Sequence, residues 1–227
     1  MTGLVYGTNL IVTLMLAHLI ASILAVEWRN LRWSVFALMA QSALLVGIFA
    51  SFAFLFPRAT HLWGWVAAAL VTKVIVIPTL LLTYLKRLPE REVRPVVGLR
   101  LSLALVLIMT VIFYRLMHTY VEFVAPTTEA LGEPVRSSLA IAFTVFALGL
   151  YVLIARRDAI KIVIGIVLLE NGVHLSLISL APTLVETTIL GITSNVVVAA
   201  WLLLYLTGAI YREWGTTDTA KLSTLKR

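Results

Sequence analysis

Apolar residues along this chain gather into seven long runs separated by polar breaks: Leu4 to Val26, Ser34 to Phe56, Leu62 to Leu85, Leu101 to Tyr120, Val135 to Ala155, Ile160 to Ala181 and Ile189 to Tyr211. A helix rises about 1.5 Å per residue, so about 20 apolar residues cross the roughly 30 Å of hydrocarbon in a bilayer. Lipid offers no partner for backbone N–H and C=O groups, and a helix satisfies them within its own segment. The pattern predicts an all-α, polytopic membrane protein with about seven transmembrane helices.

The polar breaks organise the runs. The break from Val121 to Pro134 carries Pro126, Gly132 and three acids, and it separates four runs from three. The expected division is a four-helix N-terminal membrane part over 1–120, an outer loop over 121–134, a three-helix C-terminal part over 135–211 and a cytoplasmic tail over 212–227. No sequence repeat relates the two halves. The break from Lys86 to Arg100 is rich in Arg, with Pro89 and Pro95, and reads as a solvated loop facing lipid headgroups or an acidic partner face. In the tail, Thr217 or Asp218 is placed to N-cap a short amphipathic helix carrying Leu222 and Leu225. Pro78, inside the third run, removes a backbone donor and is expected to kink that helix. The first run lacks the basic leader and cleavage site of a secretory signal and is expected to be retained.

Composition agrees with lipid as the main solvent: 61% of residues are hydrophobic, 13% are charged and the mean hydropathy is +1.01. A soluble domain carries roughly 25% charge. The chain has no Cys, which removes disulfides, thiolate nucleophiles, iron–sulfur clusters and Cys-ligated metal. The net charge of +7 would point to nucleic acid in a soluble protein, but the basic residues are sorted by break. With the N-terminus outside, the inner segments hold 14 of the 18 Lys and Arg residues, among them Arg29, Arg32, Lys86, Arg156, Arg157, Lys161 and Arg212. The outer breaks hold Arg58 and Arg136 with the acids Glu122, Glu129, Glu133 and Glu186. The positive-inside rule therefore predicts N-terminus out and C-terminus in, with no nucleic-acid partner.

Ionisable residues at mid-bilayer cost several kcal/mol or more and must meet a partner, water or the bundle interior. Glu170 lies about 14 Å from the inner end of the sixth run, and Lys73 only a few ångströms deeper in the third. Asn171 follows Glu170, and His174 is four residues on, which puts imidazole and carboxyl on one helix face. These residues are candidates for one polar layer and a proton relay; a purely structural Lys73–Glu170 pair is the other reading. Gln41 in the second run and Asn195 in the seventh are weaker candidates. His18 is expected to be an interhelical hydrogen-bonder, and Arg115, with His118 near it, to snorkel to the outer interface. Gly165 and Gly172, seven apart, would let a neighbouring helix approach closely. His18 and His174 differ in depth by roughly 8 Å, which argues against a shared haem. No GxSxG, HExxH, P-loop or GxGxxG motif is present, so nothing points to a hydrolase or a nucleotide site.

At these residues the chain resembles the hydrogenase-4 component E family, a membrane subunit of energy-converting [NiFe] hydrogenase and formate hydrogenlyase complexes. Three blocks carry the resemblance, TKVIVIP from Thr72 to Pro78, LLENGVHL from Leu168 to Leu175 and GTTDTAKLSTLK from Gly215 to Lys226. From about Ser137 the last three runs also look like the K subunit of NADH:quinone oxidoreductase (complex I), through ARRD and IGIVLLENG. That subunit's intramembrane Glu would fall near Val167, one turn before Glu170, and its second near Asn195.

The resemblance implies a cofactor-free, non-catalytic subunit of an oxidoreductase complex in a prokaryotic cytoplasmic (inner) membrane. Its expected partners are antiporter-like and quinone-subunit-like membrane subunits, a peripheral [NiFe] hydrogenase arm and the lipid bilayer. Its expected role is to couple hydrogen or formate chemistry in other chains to proton or sodium movement, with Glu170, Lys73, His174, Asn171, Gln41 and Asn195 on the ion path. A stand-alone transporter or channel and a structural membrane anchor are the other readings.

Overall fold

The computed structural model describes the backbone of residues 2–57, 60–86, 98–127, 131–180 and 186–214, and the side chains of 9–57, 60–86, 98–127, 131–180 and 196–213. Among the described residues there is no strand, and seven helices are long and apolar enough to cross a membrane. They are α1 (Thr2–Glu27), α2 (Leu31–Leu55), α3 (Leu62–Leu85), α4 (Leu99–Thr119), α5 (Val135–Ala155), α6 (Ala159–Leu180) and α7 (Glu186–Trp214). Each begins and ends within a few residues of an apolar run. A single helical turn, Val121–Val124, follows α4. The tail beyond Trp214 and most of the Arg-rich break after Lys86 lie outside the described residues, and the expected tail helix with them.

Local capping chemistry sets several helix starts. Asn30 Oδ1 accepts from the Arg32 N–H at 3.0 Å and opens α2. Asp158 Oδ1 accepts from the N–H groups of Ile160 and Lys161 at 2.9 and 3.2 Å and opens α6. Glu133 takes the same part before α5, accepting from the Ser137 N–H at 3.3 Å. Gly98, at φ +81°, turns the chain into α4 through a backbone region that side chains disfavour.

In lipid, association of helices rests on close packing and interhelical hydrogen bonds rather than on release of water. The α5–α6 pair is the most extensive contact in the molecule, and glycines make it so. A Cβ at Gly172 would stand 2.7 Å from the Ala142 carbonyl oxygen and 2.8 Å from the Phe146 nitrogen. At Gly149 it would stand 2.8 Å from the Gly165 carbonyl oxygen. The sequence singles out Gly165 and Gly172; Gly149, on the facing helix, completes the seam. The α1–α2 hairpin packs beside this pair, with Ser34 Oγ donating to the Ala25 carbonyl and the His18 ring meeting the Gln41 backbone seven residues deeper on each helix. Helix α3 lies on α2, α4 on α5, and α7 on α6 and α3. Large apolar side chains face outward from α4 and α7, including Ile108, Val111, Ile112, Trp201 and Leu206.

The expected kink at Pro78 takes a different form. From Leu70 to Val76 the third span is a π-helix, which returns to α-helix at Ile77 just before the proline. The Ile77 N–H bonds the Thr72 carbonyl, five residues back. Wider π turns absorb the donor that proline lacks, and Lys73 sits within them.

Replacing Gly172 with Ala forces a Cβ against the α5 backbone and is expected to destabilise the fold by about 1–3 kcal/mol. Gly47→Ala is the matched control, since its Cβ would meet only a Leu14 side-chain carbon at 3.8 Å. Thermal unfolding in mild detergent should show a lowered Tm for the first variant and little change for the second.

Candidate functional site

Buried polar residues of four spans converge at mid-membrane. Lys73 Nζ, from the π segment of α3, donates to Asn171 Oδ1 at 2.6 Å and meets His174 Nδ1 at 2.6 Å, both on α6. Glu170 Oε2 lies 3.1 Å from the same nitrogen. The two form a buried ion pair within hydrogen-bonding distance. Glu170 Oε1 is 3.5 Å from His174 Nδ1. Lys73 is 1% exposed and Glu170 7%, so the pair is held away from bulk solvent on all but one small side of the carboxyl.

The layer continues toward the N-terminal spans by a chain of neutral donors and acceptors. Asn171 Nδ2 donates to Gln41 Oε1 at 2.7 Å, and Gln41 Nε2 donates to His18 Nε2 at 3.1 Å. His18 Nδ1 is 2.9 Å from the Gln41 backbone oxygen, which can only accept, so the proton of this ring sits on Nδ1. Both nitrogens of His18 are therefore occupied by α2, as expected of an interhelical hydrogen-bonder. Each amide is oriented by its neighbours, and Asn171 is left presenting its oxygen to the lysine.

On the other side of the layer, the His174 ring packs edge-on against Trp65 at a centroid distance of 6.0 Å. His174 Nε2 and Trp65 Nε1 are both buried with no hydrogen-bond partner among the described residues. Two underused polar atoms thus lie on this side of the layer, beside the Lys73–Glu170 pair.

Five of the six sequence candidates, Glu170, Lys73, His174, Asn171 and Gln41, thus meet in one network, and His18 joins them. Asn195 falls within α7, but its side chain lies outside the described residues. Arg115 is exposed, near the C-terminal end of α4. His118 lies 3.3 Å from Glu133, and Arg136 Nε donates to the His118 carbonyl, so these residues tie α4 to the start of α5. Val167, where the K-subunit acid would fall, is fully buried one turn from Glu170.

A second polar cluster was not legible in the sequence. Arg156 and Lys161, counted there among the basic residues of the inner segments, are 4% and 1% exposed. An Arg156 terminal nitrogen donates to Glu27 Oε1 at 2.6 Å and to Ser102 Oγ at 3.0 Å, while Ser102 Oγ donates to Glu27 and shares a 2.8 Å bond with the Tyr151 hydroxyl. Lys161 Nζ donates to the carbonyls of Ala25, Val26 and Trp28 at 2.9 Å and contacts Ser34 Oγ at 2.7 Å. The last carbonyls of α1 have no intrahelical donors, and a cation there meets both their lone pairs and the helix dipole. The only hint in the sequence was Glu27, an acid at the edge of the first run; nothing in its spacing ties it to Arg156, 129 residues away.

These features define a class: a seven-span helical membrane protein whose C-terminal hairpin, α5 and α6, presents a buried acid to a lysine on a broken helix of the N-terminal part. A family model described as NADH-ubiquinone/plastoquinone oxidoreductase chain 4L matches residues 137–227. Hydrogenase-4 component E of Escherichia coli (strain K12), of Escherichia coli O157:H7 and of Shigella flexneri are each 30% identical to the chain over 231 residues, covering 100% of both. The chain belongs to the hydrogenase-4 component E family. No solved structure matches it.

Two outcomes test these networks. Lys161→Met removes the donor from three buried carbonyls and is expected to cost about 1–3 kcal/mol, read as a lower Tm in detergent. Gln41→Leu strands His18 Nε2 and Asn171 Nδ2 at a similar cost. Adding His18→Phe should recover part of that loss, which a double-mutant cycle measures directly.

Proposed function

We propose that this chain is a proton-handling membrane subunit of a complex I-related hydrogenase, with Glu170 as its protonatable centre. Family membership supports the wider frame: a multi-pass membrane component of a multisubunit hydrogenase complex, its redox chemistry carried by other chains. The observation that carries the finer reading is the Lys73–Glu170 contact, 3.1 Å long and buried at mid-membrane, with His174 Nδ1 3.5 Å from the same carboxyl.

In this mechanism a proton reaching Glu170 neutralises it, and Lys73 is left to Asn171 and His174, which already hold its ammonium. The π segment gives the lysine-bearing turn freedom to shift between the two partners. His174 has one ring nitrogen on the Lys73 side and the other turned away, so it is placed to pass a proton from one side of the layer to the other. Gln41 and Asn171 position the lysine and do not themselves carry charge. The charge sorting supports an orientation with the N-terminus out and the Arg156–Lys161 end facing the cytoplasm of a prokaryotic cell. Antiporter-like and quinone-subunit-like membrane chains would flank it, passing protons or sodium laterally.

The test uses the assembled complex. Glu170→Gln is expected to preserve hydrogen turnover with an artificial electron carrier while lowering coupled ion movement in vesicles at least tenfold, and Lys73→Met to do the same. Unchanged ion movement in both variants, with normal assembly, would overturn the reading and leave the layer a structural tie between helices.

A further inference from the structure

A groove of 440 Å³ opens between the C-terminal half of α3 and the last four turns of α7. It is separate from the polar layer, and its lining changes character along its length. At its deeper part stand Leu80, Trp201 and Leu204; then come Tyr84 and Tyr205; Tyr211 and Arg212 close it at the end of the bundle that carries Lys86. Gly208 makes the groove possible, because a Cβ there would stand 3.3 Å from the Tyr84 ring and narrow the space between the helices.

The gradient has the dimensions of one membrane leaflet. From Trp201 to Arg212 is eleven residues, about 16 Å along a helix, which is close to half of the roughly 30 Å hydrocarbon core. Amphipathic phenols sit where such rings settle at a membrane interface, and the guanidinium stands at headgroup depth. Arg212 spends only its Nε on the protein, donating to the Gly208 carbonyl of its own helix at 3.3 Å, and makes no ion pair among the described residues. Its terminal nitrogens are thus left for an anion, which guanidinium binds in a two-pronged fashion. A partner helix would need neither the rise in polarity along the groove nor a cation at its mouth.

We infer that this groove is a binding site for one anionic phospholipid, its acyl chain lying along Trp201 and Leu204 and its phosphate on Arg212. The site wedges between α3 and α7, so the lipid serves as a filler that holds α7 against the helix bearing Lys73.

The full chain reconstituted in phosphatidylcholine vesicles with brominated phosphatidylglycerol at one lipid in ten tests this. Bromine quenches tryptophan on contact, and subtracting the Trp201→Phe signal isolates the groove. Trp201 quenching several-fold above that expected from the lipid's mole fraction is the predicted result. Arg212→Gln should bring it down to the mole-fraction value, and brominated phosphatidylcholine should show no enrichment. Equal quenching by the two lipids, or enrichment that survives Arg212→Gln, would overturn the inference. So would assembled complexes in which Trp201 is shielded from every brominated lipid, an outcome that assigns the groove to a partner helix. None of these outcomes bears on proton handling at Glu170.

Discussion

One ammonium group organises the centre of this molecule. Lys73 Nζ is buried at the depth where hydrocarbon solvates charge worst, and it meets three groups of one helix, the Asn171 oxygen, a His174 nitrogen and the Glu170 carboxyl. A mid-membrane cation tolerates few arrangements, and each neighbour is constrained by the need to meet it. Asn171 must turn its oxygen to the lysine, so its amide nitrogen must find Gln41, and Gln41 in turn fixes His18. The register of α1, α2, α3 and α6 follows from one desolvated charge. Such a chain limits the number of ways the spans can associate, as polar contacts do where lipid gives apolar faces no preference.

The two polar clusters differ in the backbone that carries them. Lys161 meets three carbonyls and a serine at the ends of regular α-helices, and in the same cluster Glu27 Oε2 and Arg156 Nε have no hydrogen-bond partner among the described residues. That cluster pins the end of α1 to the start of α6 and resembles a fastening. Around Glu170, His174 Nε2 and Trp65 Nε1 lack partners among the described residues, and the lysine that faces the carboxyl is carried on π turns. Between the clusters, the α1–α2 hairpin keeps constant register over seven residues, which transmits the rigidity of one cluster to the other.

The α5–α6 hairpin provides the platform. Three glycines bring its backbones together so closely that neither helix can rotate or slide, and Glu170, Asn171 and His174 all project from this fixed surface. Opposite it, α3 is broken by its π segment and lightly packed on its outer face. A rigid acid facing a compliant base is a suitable arrangement for a contact that must form and release.

The amino-acid sequence by itself determined how many runs are long and apolar enough to cross the membrane, where each begins and ends to within a few residues, and at what depth along its helix Glu170 and Lys73 lie. These are properties of position along one helix axis, and hydropathy and the 1.5 Å rise set them without reference to any neighbour. Only the tertiary structure decided which residues meet. Arg156 and Lys161 stood among the basic residues of the inner segments until Glu27 and the last carbonyls of α1 were seen to enclose them. The proline announced a break in α3, but the π turns that resolve it, and the direction in which they point Lys73, depend on α2 and α6 lying alongside. Likewise nothing in the sequence ties Gly208 and Arg212 to Tyr84, and they form a groove only because two distant spans lean together at one end. Depth is written along the chain, whereas the rotation of each helix about its axis is set by all its neighbours at once.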